Sequence, residues 1–354
     1  MTALKQIISS QIKRFGPMTV ADYMTLCLLH PKHGYYRQKN PLGAAGDFTT
    51  APEISQMFGE LLGLCLAQVW RDQGSIKQFS LVELGPGNGT LMADILRVGA
   101  TVPGFVDAAQ VWLVEVNPAL RQKQETALCD YSPNWVEQIN DLPELPLYLV
   151  ANEFFDALPI RQFTRCREGW QEQMIGLVNE ALAFGPATPI PVEAAEHEHR
   201  HAGIGDVVET NPGAAAMVAE ISGLIARLGG VALITDYGHW DATGDSFQAV
   251  RNHQKTDPLA EPGQADLTAH VNFAALARAT QGAVVTKMTK QGVFLQRLGI
   301  AARARVLAEN LTGAALDCHV LAHRRLTHPD EMGSLFKAIA IHPENAPVPP
   351  GFDP

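Results

Sequence analysis

A glycine-rich turn, and an acidic residue that follows it at a distance, are the part of this sequence best suited to hold a ligand. The apolar segment 80–84 runs directly into this turn, which consists of Gly85, Pro86, Gly87, Asn88 and Gly89. Glycine permits the positive φ angles of a tight strand-to-helix turn and lets the backbone approach a ligand closely. A second apolar segment ends at Glu115, thirty residues after Gly85, where a carboxylate can accept hydrogen bonds from a ribose diol. The pattern predicts a cradle for a nucleotide-type cofactor.

The spacing of the glycines distinguishes between two classes of cofactor. A dinucleotide-binding fold has the fingerprint G-x-G-x-x-G, with an acidic residue about 20 positions further on. Here the glycines alternate at positions 85, 87 and 89, and position 90 is threonine. With Glu83 before them, they resemble the E-x-G-x-G-x-G pattern of class I methyltransferases, and S-adenosylmethionine is the predicted cofactor. The spacing disfavours a nicotinamide-dependent oxidoreductase, and a strand-to-helix turn without a ligand is the structural alternative.

Two acids and two aromatic side chains follow the apolar segment 147–151. The run consists of Asn152, Glu153, Phe154, Phe155 and Asp156. Open α/β sheets place ligands at the carboxyl ends of their strands, where this run is expected to lie. Glu153 and Asp156 could bind a guanidinium through bidentate hydrogen bonds, localise its charge and accept the proton that it releases. Asn152 is expected in the same site, although a helix cap is the alternative for Asn152 or Asp156.

The segment 46–55 combines small residues with polar side chains and is expected to complete the cofactor site. Asp47, Thr49 and Thr50 are predicted to contact the methionine end of the cofactor. Thr50 also fits a helix N-cap, with Pro52 in the first helical turn. The two interpretations are compatible, because a helix can begin beside a bound ligand.

Three residues are expected near the remaining parts of the cofactor. Val116 follows the acid at the end of the second strand, and Asp141 and Leu142 are predicted to lie beside the adenine. A plain turn is an equal alternative at Asp141, because aspartate followed closely by proline is common in turns.

Histidines offer two further hypotheses. His270 precedes an expected helix and could act as a base, although a structural role is the favoured interpretation. An alternating cluster consists of His197, His199 and His201. Its spacing matches no metal site, so solvated loop residues are favoured and no metal is predicted.

Composition limits the possible partners. The 354 residues carry a net charge of −10, which argues against nucleic acid as a partner and is compatible with a basic protein or peptide. No apolar run is long enough to span a bilayer, so no membrane insertion is expected. The five cysteines have no paired or metal-like spacing, and segment 1–15 has no apolar signal core. A cytoplasmic protein is the expectation.

The order of apolar and helical segments predicts an α/β fold with a doubly wound, mostly parallel sheet. Residues 1–75 are expected to form a helical N-terminal extension or lid, and 76–354 a core with insertions near 161–210 and 239–270. Strands are predicted at 80–84, 111–116, 147–152, 161–166, 173–178, 205–209, 231–236, 284–289 and 335–341. Helices are predicted at 213–228, 271–281 and 292–308, and the segment 239–268 is expected to be irregular.

Motifs along nearly the whole chain resemble the MidA-like family of S-adenosylmethionine-dependent methyltransferases. They are the segments Gly46–Glu60, Glu83–Gly89, Asn152–Pro159, Thr235–Gly238, Asp266–Val271, Gln291–Leu295 and Met332–Lys337. The resemblance implies a class I methyltransferase (Rossmann-like) fold with inserted substrate-side segments. It also implies protein-arginine N-methylation to ω-N,N′-dimethylarginine, with S-adenosylhomocysteine as the second product and a respiratory complex I subunit as a target.

Other functions stay open at this point. A non-catalytic assembly factor would bind a client through the insertions, and the intact glycine turn argues against it. A small-molecule methyltransferase is compatible with the same cofactor site, because no local motif dictates a protein substrate. Exposed apolar helical faces could support a homodimer.

Overall fold

The computed structural model describes residues 2–38, 49–190, 201–241 and 243–353. The chain forms two compact units, each assembled from several segments. The first unit combines Met1–Phe48, Asp156–Ala215 and His239–Ala275. The second unit combines Thr49–Phe155, Ala216–Gly238 and Leu276–Pro354.

Helices and strands alternate along most of the described chain. The helices are α1 (Ala3–Phe15), α2 (Val20–Leu29), α3 (Tyr35–Gln38), α4 (Ala51–Ile54), α5 (Gln56–Asp72), α6 (Thr90–Gly99), α7 (Phe105–Ala108), α8 (Pro118–Ala127), α9 (Pro212–Leu228), α10 (Phe273–Ala279), α11 (Gln291–Arg297), α12 (Ile300–Ala308), α13 (Gly313–Thr327) and α14 (Met332–Leu335). The strands are β1 (Met18–Thr19), β2 (Phe79–Leu84), β3 (Ala109–Val114), β4 (Asn134–Val136), β5 (Leu147–Asn152), β6 (Arg161–Cys166), β7 (Gly169–Val178), β8 (Ala181–Pro186), β9 (Val207–Thr210), β10 (Gly230–His239), β11 (Gln248–Arg251), β12 (Gln254–Thr256), β13 (Asp266–Thr268), β14 (Val271–Asn272), β15 (Val284–Val285), β16 (Thr289–Lys290) and β17 (Phe336–His342). Short 3₁₀ turns cover Ile139–Asp141 and Phe155–Ala157.

A mostly parallel sheet forms the centre of the second unit. Its strand order is β15, β17, β10, β5, β2, β3 and β4. From β10 to β4 all neighbouring strands are parallel, whereas β17 is antiparallel to β10. Every residue of β2 is buried, as expected for a central parallel strand that is covered on both faces. The predicted α/β class and the mostly parallel sheet are therefore confirmed.

Helices α5 and α6 pack against each other at glycine contacts in the same unit. A Cβ atom added at Gly63 would lie 2.6 Å from Cγ1 of Val98 and 2.9 Å from Cα of Ile95. An added Cβ at Gly59 would lie 2.6 Å from Cβ of Asp94. The absence of these side chains lets the two helix backbones approach closely, and α6 is the helix that follows the glycine turn.

The first unit has its own sheet and core. Its sheet has the order β1, β7, β6 and β9, and β8 also pairs with β7. Helix α1 buries Leu4, Ile8 and Ile12, which share one face because they are four residues apart. These side chains belong to a core that also contains Tyr23 and Ile175. Within the described ranges, no helix is long and apolar enough to cross a membrane.

The division into units differs from the one expected at residue 75. Helices α4 and α5 precede that position and yet belong to the second unit, because α5 packs on α6. The expectation that residues 1–75 act as a lid stays a prediction.

Several expected elements differ from the structure. The segment 239–268 is not irregular throughout, since β11 pairs with β12 and β13 in an antiparallel sheet. The helix predicted at 292–308 is two helices, because Gly299 adopts a φ angle of 94° between them. The strand predicted at 284–289 is β15 and β16, which pair separately with β17. Helix α13 was not predicted from the sequence.

Candidate active site

The carboxyl ends of the central parallel strands form one edge of the sheet in the second unit. Leu84, the last residue of β2, is in register with Val114 on one side and Ala151 on the other. The backbone N–H of Gly85 donates to the carbonyl oxygen of Val114 at 3.1 Å. Gly85 and Glu115 therefore leave their strands at the same level, where open α/β sheets bind ligands.

The glycine turn has the left-handed backbone that its sequence predicts. The φ angles of Gly85, Gly87 and Gly89 are 59°, 53° and 84°. An added Cβ at Gly85 would lie 2.8 Å from Cδ2 of Phe154, and one at Gly89 would lie 3.3 Å from Cα of Gln124. Glycine is thus required both for the backbone angles and for the close approach of neighbouring groups.

Glu83 joins the end of β2 to the start of α6. The carboxyl group of Glu83 accepts a hydrogen bond from the backbone N–H of Met92. This bond satisfies an N–H group that the N-cap residue Gly89 cannot reach, because glycine has no side chain. Burial, and then the negative charge of nearby Glu115, raises the pKa of Glu83 to about 8. Glu83 therefore keeps its proton at neutral pH.

The raised pKa of Glu83 predicts a pH dependence of stability. In the unfolded chain this carboxyl group ionises near pH 4.5, whereas in the folded protein it stays neutral up to about pH 8. Folding stability therefore falls as the pH rises through this window, by about 1.4 kcal/mol for each unit of pKa difference at most. The substitution Glu83→Gln keeps the shape and an acceptor for Met92, and removes the ionisation.

The measurement is thermal unfolding of the wild type and Glu83→Gln between pH 5 and 8. We expect the melting temperature of the variant to decline less over this range than that of the wild type. Parallel curves for the two proteins would show that Glu83 does not titrate in this way.

Glu115 is held by hydrogen bonds within its own unit. Its Oε1 atom accepts from the backbone N–H of Asn117 at 2.7 Å, and its Oε2 atom accepts from Nε2 of Gln124 at 3.2 Å. Burial raises its pKa, since only 7 % of the residue is exposed. The carboxylate is thus fixed in place immediately after β3.

Gln124 is a site residue that the sequence analysis missed. It is fully buried on α8, and its Nε2 atom also donates to the carbonyl oxygen of Gly87 at 2.8 Å. The same side chain thereby connects the glycine turn to Glu115. The only signal in the sequence is a polar residue four positions after the buried Leu120, on the apolar side of the helix.

Glu153 has a strained backbone and a structural role that was not predicted. Its φ angle is 51°, which is rare for a residue other than glycine and is typical of functional sites. Its Oε1 atom accepts from the backbone N–H of Ala51 at 3.0 Å and from Nδ2 of Asn152 at 3.2 Å. The carboxylate therefore caps α4, a role that the sequence analysis had considered for Asn152 or Asp156. Thr235 fixes both residues, because its carbonyl accepts from the N–H of Glu153 and its hydroxyl donates to Oδ1 of Asn152.

Asp236 shapes the run that follows β5. This fully buried residue accepts hydrogen bonds from the backbone N–H groups of Phe154 at 3.2 Å and Phe155 at 3.0 Å through its Oδ2 atom. Its Oδ1 atom accepts from the N–H of Tyr237 at 2.9 Å. Asp236 thus holds the loop that carries Glu153.

The segment before α4 is only partly described. Thr49 and Thr50 are half-buried and belong to the second unit, whereas Asp47 lies outside the described residues. Thr50 is the N-cap residue of α4, as the alternative interpretation predicted, but its side chain makes no capping hydrogen bond. Contact of these threonines with the cofactor stays a prediction.

The residues expected near the adenine and ribose follow β3 and β4, two neighbouring strands of the central sheet. Val116 is half-buried and follows Glu115, while Asp141 is exposed at the end of the 3₁₀ turn after β4. The backbone N–H of Asp141 donates to the carbonyl of Gln138 at 3.2 Å, as in the turn interpretation. Leu142 is half-buried, and cofactor contact of these three residues stays a prediction.

Asp156 is buried in the first unit, where its carbonyl oxygen accepts from the N–H of Ala269 at 2.9 Å. Burial, and then the carboxylates of Asp266 and Asp156, raises the pKa of Tyr36, whose hydroxyl donates to Asp266 at 2.8 Å. The neighbours of Asp156 thus include Ala269 and Tyr36, whereas those of Glu153 include Ala51 and Asn152.

His270 is half-buried in the first unit. Its backbone N–H donates to Oγ of Ser246 at 2.8 Å, and its ring centroid lies 5.4 Å from that of His239. A catalytic role for His270 stays a prediction. His197 and His199 lie outside the described residues, and His201 is exposed.

The residues of the second unit fit S-adenosylmethionine. Oδ1 of Asn88 is a buried acceptor without a hydrogen-bond partner among the described residues, and Oε2 of Glu83 is a buried carboxyl oxygen that also has none there. The ammonium and ribose hydroxyl groups of S-adenosylmethionine are donors of the kind that the Asn88 oxygen lacks, and a ribose hydroxyl can also accept from the protonated carboxyl of Glu83. Glu83, Asn88, Glu115 and the turn are therefore the residues that would hold the cofactor.

The fold and this site define an S-adenosylmethionine-dependent methyltransferase. A sequence profile of a family of S-adenosyl-L-methionine-dependent methyltransferases matches residues 61–290, and the chain belongs to this family. Protein arginine methyltransferase NDUFAF7, mitochondrial, from Xenopus laevis is 36 % identical over 376 residues, which cover 97 % of this chain and 85 % of that protein. The human protein of the same name is also 36 % identical, over 97 % of this chain and 84 % of its own length.

Solved structures from Burkholderia thailandensis support the same assignment. A likely methyl transferase bound to S-adenosyl-homocysteine has a TM-score of 0.84 and 27 % identity, covering 99 % of this chain and 94 % of the other. A second, uncharacterized protein has a TM-score of 0.79 and 30 % identity, covering 99 % and 92 %. S-adenosylmethionine is the cofactor of this enzyme, as the glycine spacing predicted.

Proposed function

We propose that this enzyme is a protein-arginine N-methyltransferase that forms ω-N,N′-dimethylarginine. The observation that carries the proposal is the Glu153 carboxylate, which follows β5 at the sheet edge that also presents the glycine turn. The names of the relatives, protein arginine methyltransferases, support an arginine substrate. The net charge of −10 favours a basic partner such as an arginine-containing protein segment.

The proposed chemistry depends on how a carboxylate changes a guanidinium. A free guanidinium is a poor nucleophile, because its charge is delocalised and its pKa is above about 12. When bound, S-adenosylmethionine supplies an electrophilic methyl group. Glu153 would hold the guanidinium by charge-assisted hydrogen bonds, localise its positive charge and accept the proton released from the methylated nitrogen. Asn152 would orient Glu153, to which it already donates a hydrogen bond. We also propose Asp156 as a second carboxylate for the guanidinium.

The test uses purified enzyme and labelled S-adenosylmethionine with a lysate of cells that lack the gene. We expect label in protein, and mass spectrometry should locate it as ω-N,N′-dimethylarginine. Label confined to small molecules would contradict the protein substrate, and absence of transfer with intact cofactor binding would favour the non-catalytic assembly factor.

A respiratory complex I subunit as target, cytoplasmic location and a homodimer stay predictions. The relatives from Xenopus laevis and human are named mitochondrial.

A further inference from the structure

Glu53 connects α4 to the glycine turn by two hydrogen bonds. Its Oε1 atom accepts from Nδ2 of Asn88 at 3.1 Å and from Oγ1 of Thr90 at 2.8 Å. Asn88 lies within the turn, and Thr90 is the first residue of α6. Both partners are thus in the segment that would hold the cofactor, whereas Glu53 approaches it from another part of the chain.

Helix α4 is also attached at its beginning. The N-cap residue Thr50 makes no side-chain capping bond, and the N–H of Ala51 instead donates to Oε1 of Glu153 at 3.0 Å. One short helix therefore connects the turn after β2 with the residue after β5. Two carboxylates make this connection, and Glu53 is the one that contacts the turn.

The chemistry of Glu53 determines the orientation of the Asn88 amide. A carboxylate can only accept hydrogen bonds, so the group of Asn88 that faces it must be the amide nitrogen. The amide oxygen is then left as an acceptor, and Oδ1 of Asn88 has no partner in the part of the chain that the structure describes. A neutral glutamine at position 53 could donate as well as accept and would no longer select this orientation.

We infer that Glu53 is a positioning residue for the cofactor, which orients Asn88 and Thr90 so that the glycine turn is preformed for S-adenosylmethionine. The inference concerns cofactor binding and does not depend on the arginine substrate. Its failure would therefore leave the proposed function untouched, and failure of the arginine assay would leave this inference untouched.

The first test is calorimetric titration of the protein with S-adenosylhomocysteine. We expect Glu53→Gln to bind about tenfold more weakly than the wild type, which corresponds to about 1.4 kcal/mol. Thr90→Val should also weaken binding, and Thr90→Ser should restore it because serine keeps the hydroxyl donor. Glu144→Gln is the matched control, since it removes a carboxylate from the exposed pair of Glu144 with Arg227. Unchanged affinity in both Glu53→Gln and Thr90→Val would overturn the inference.

A double-mutant cycle separates positioning from a general loss of stability. If Glu53 acts through Thr90, the double variant Glu53→Gln/Thr90→Val should bind about as weakly as the weaker of the two single variants, so that the two effects do not multiply. Independent, multiplying effects would contradict the inference.

Steady-state kinetics of Glu53→Gln should show a raised KM for S-adenosylmethionine with a nearly unchanged kcat. A lowered kcat with unchanged affinity would also overturn it. If Glu53→Gln fails to fold, the Thr90→Val and Thr90→Ser pair decides the question.

Discussion

Gly87→Val is expected to abolish saturable binding of S-adenosylhomocysteine and to leave the fold intact. Gly87 has a φ angle of 53°, which a β-branched residue adopts only with strain, and its carbonyl oxygen accepts the hydrogen bond from Gln124. A left-handed non-glycine residue costs at least about 1–2 kcal/mol, which is small beside a total stability of roughly 5–15 kcal/mol. The domain should therefore stay folded while the turn changes shape.

The measurement is calorimetric titration, with circular dichroism to verify the fold. We expect the affinity to fall at least about 100-fold, which is about 2.7 kcal/mol. Gly74→Val is the matched control, because Gly74 also has a positive φ angle, 92°, and an added Cβ there would meet nothing within 4 Å. Gly74→Val should lose some stability and bind S-adenosylhomocysteine with the affinity of the wild type. Retained binding by Gly87→Val would remove the turn from the cofactor site.

Glu153→Gln is expected to keep cofactor affinity and to lose methyl transfer. Glutamine retains an oxygen that can accept from the N–H of Ala51, so the cap of α4 should persist. It cannot localise the charge of a guanidinium or accept a proton, and loss of such a group typically costs about 100- to 10,000-fold in rate. The substitution therefore separates the structural role of Glu153 from its proposed chemical role.

Transfer of labelled methyl groups and titration with S-adenosylhomocysteine measure the two roles. Glu153→Ala should lower the melting temperature as well as the rate, because it removes the cap together with the charge. Turnover of Glu153→Gln within a few-fold of wild type would exclude Glu153 from the chemistry and leave it a cap only. Loss of affinity and turnover together would place it in cofactor binding instead.

The central sheet could be predicted from the sequence because its signals are local. The apolar runs ending at Leu84, Val114 and Asn152 are separated by helical segments, and they are the strands β2, β3 and β5. A break such as the one at Gly299 is harder to predict, because the flanking segments have similar helical composition. The pairing of β11 with β12 and β13 depends on contacts between distant residues, and no local pattern identifies it.

The sequence by itself determined the family, the cofactor and the residues of the glycine turn. Alternating glycines are a local requirement of backbone geometry, and their spacing disfavours the dinucleotide pattern without knowledge of contacts. The acid after the second strand follows in the same way from strand periodicity.

Only the tertiary structure decided which hydrogen-bond partners the side chains of the site have. The bonds from Glu53 to Asn88 and Thr90 join residues 35 and 37 positions apart. Gln124 contacts the turn from α8, and Glu153 caps a helix 102 positions before it. The type of a polar residue does not indicate which distant residue it will contact, because the hydrogen bonds of a buried group depend on which elements the fold brings together.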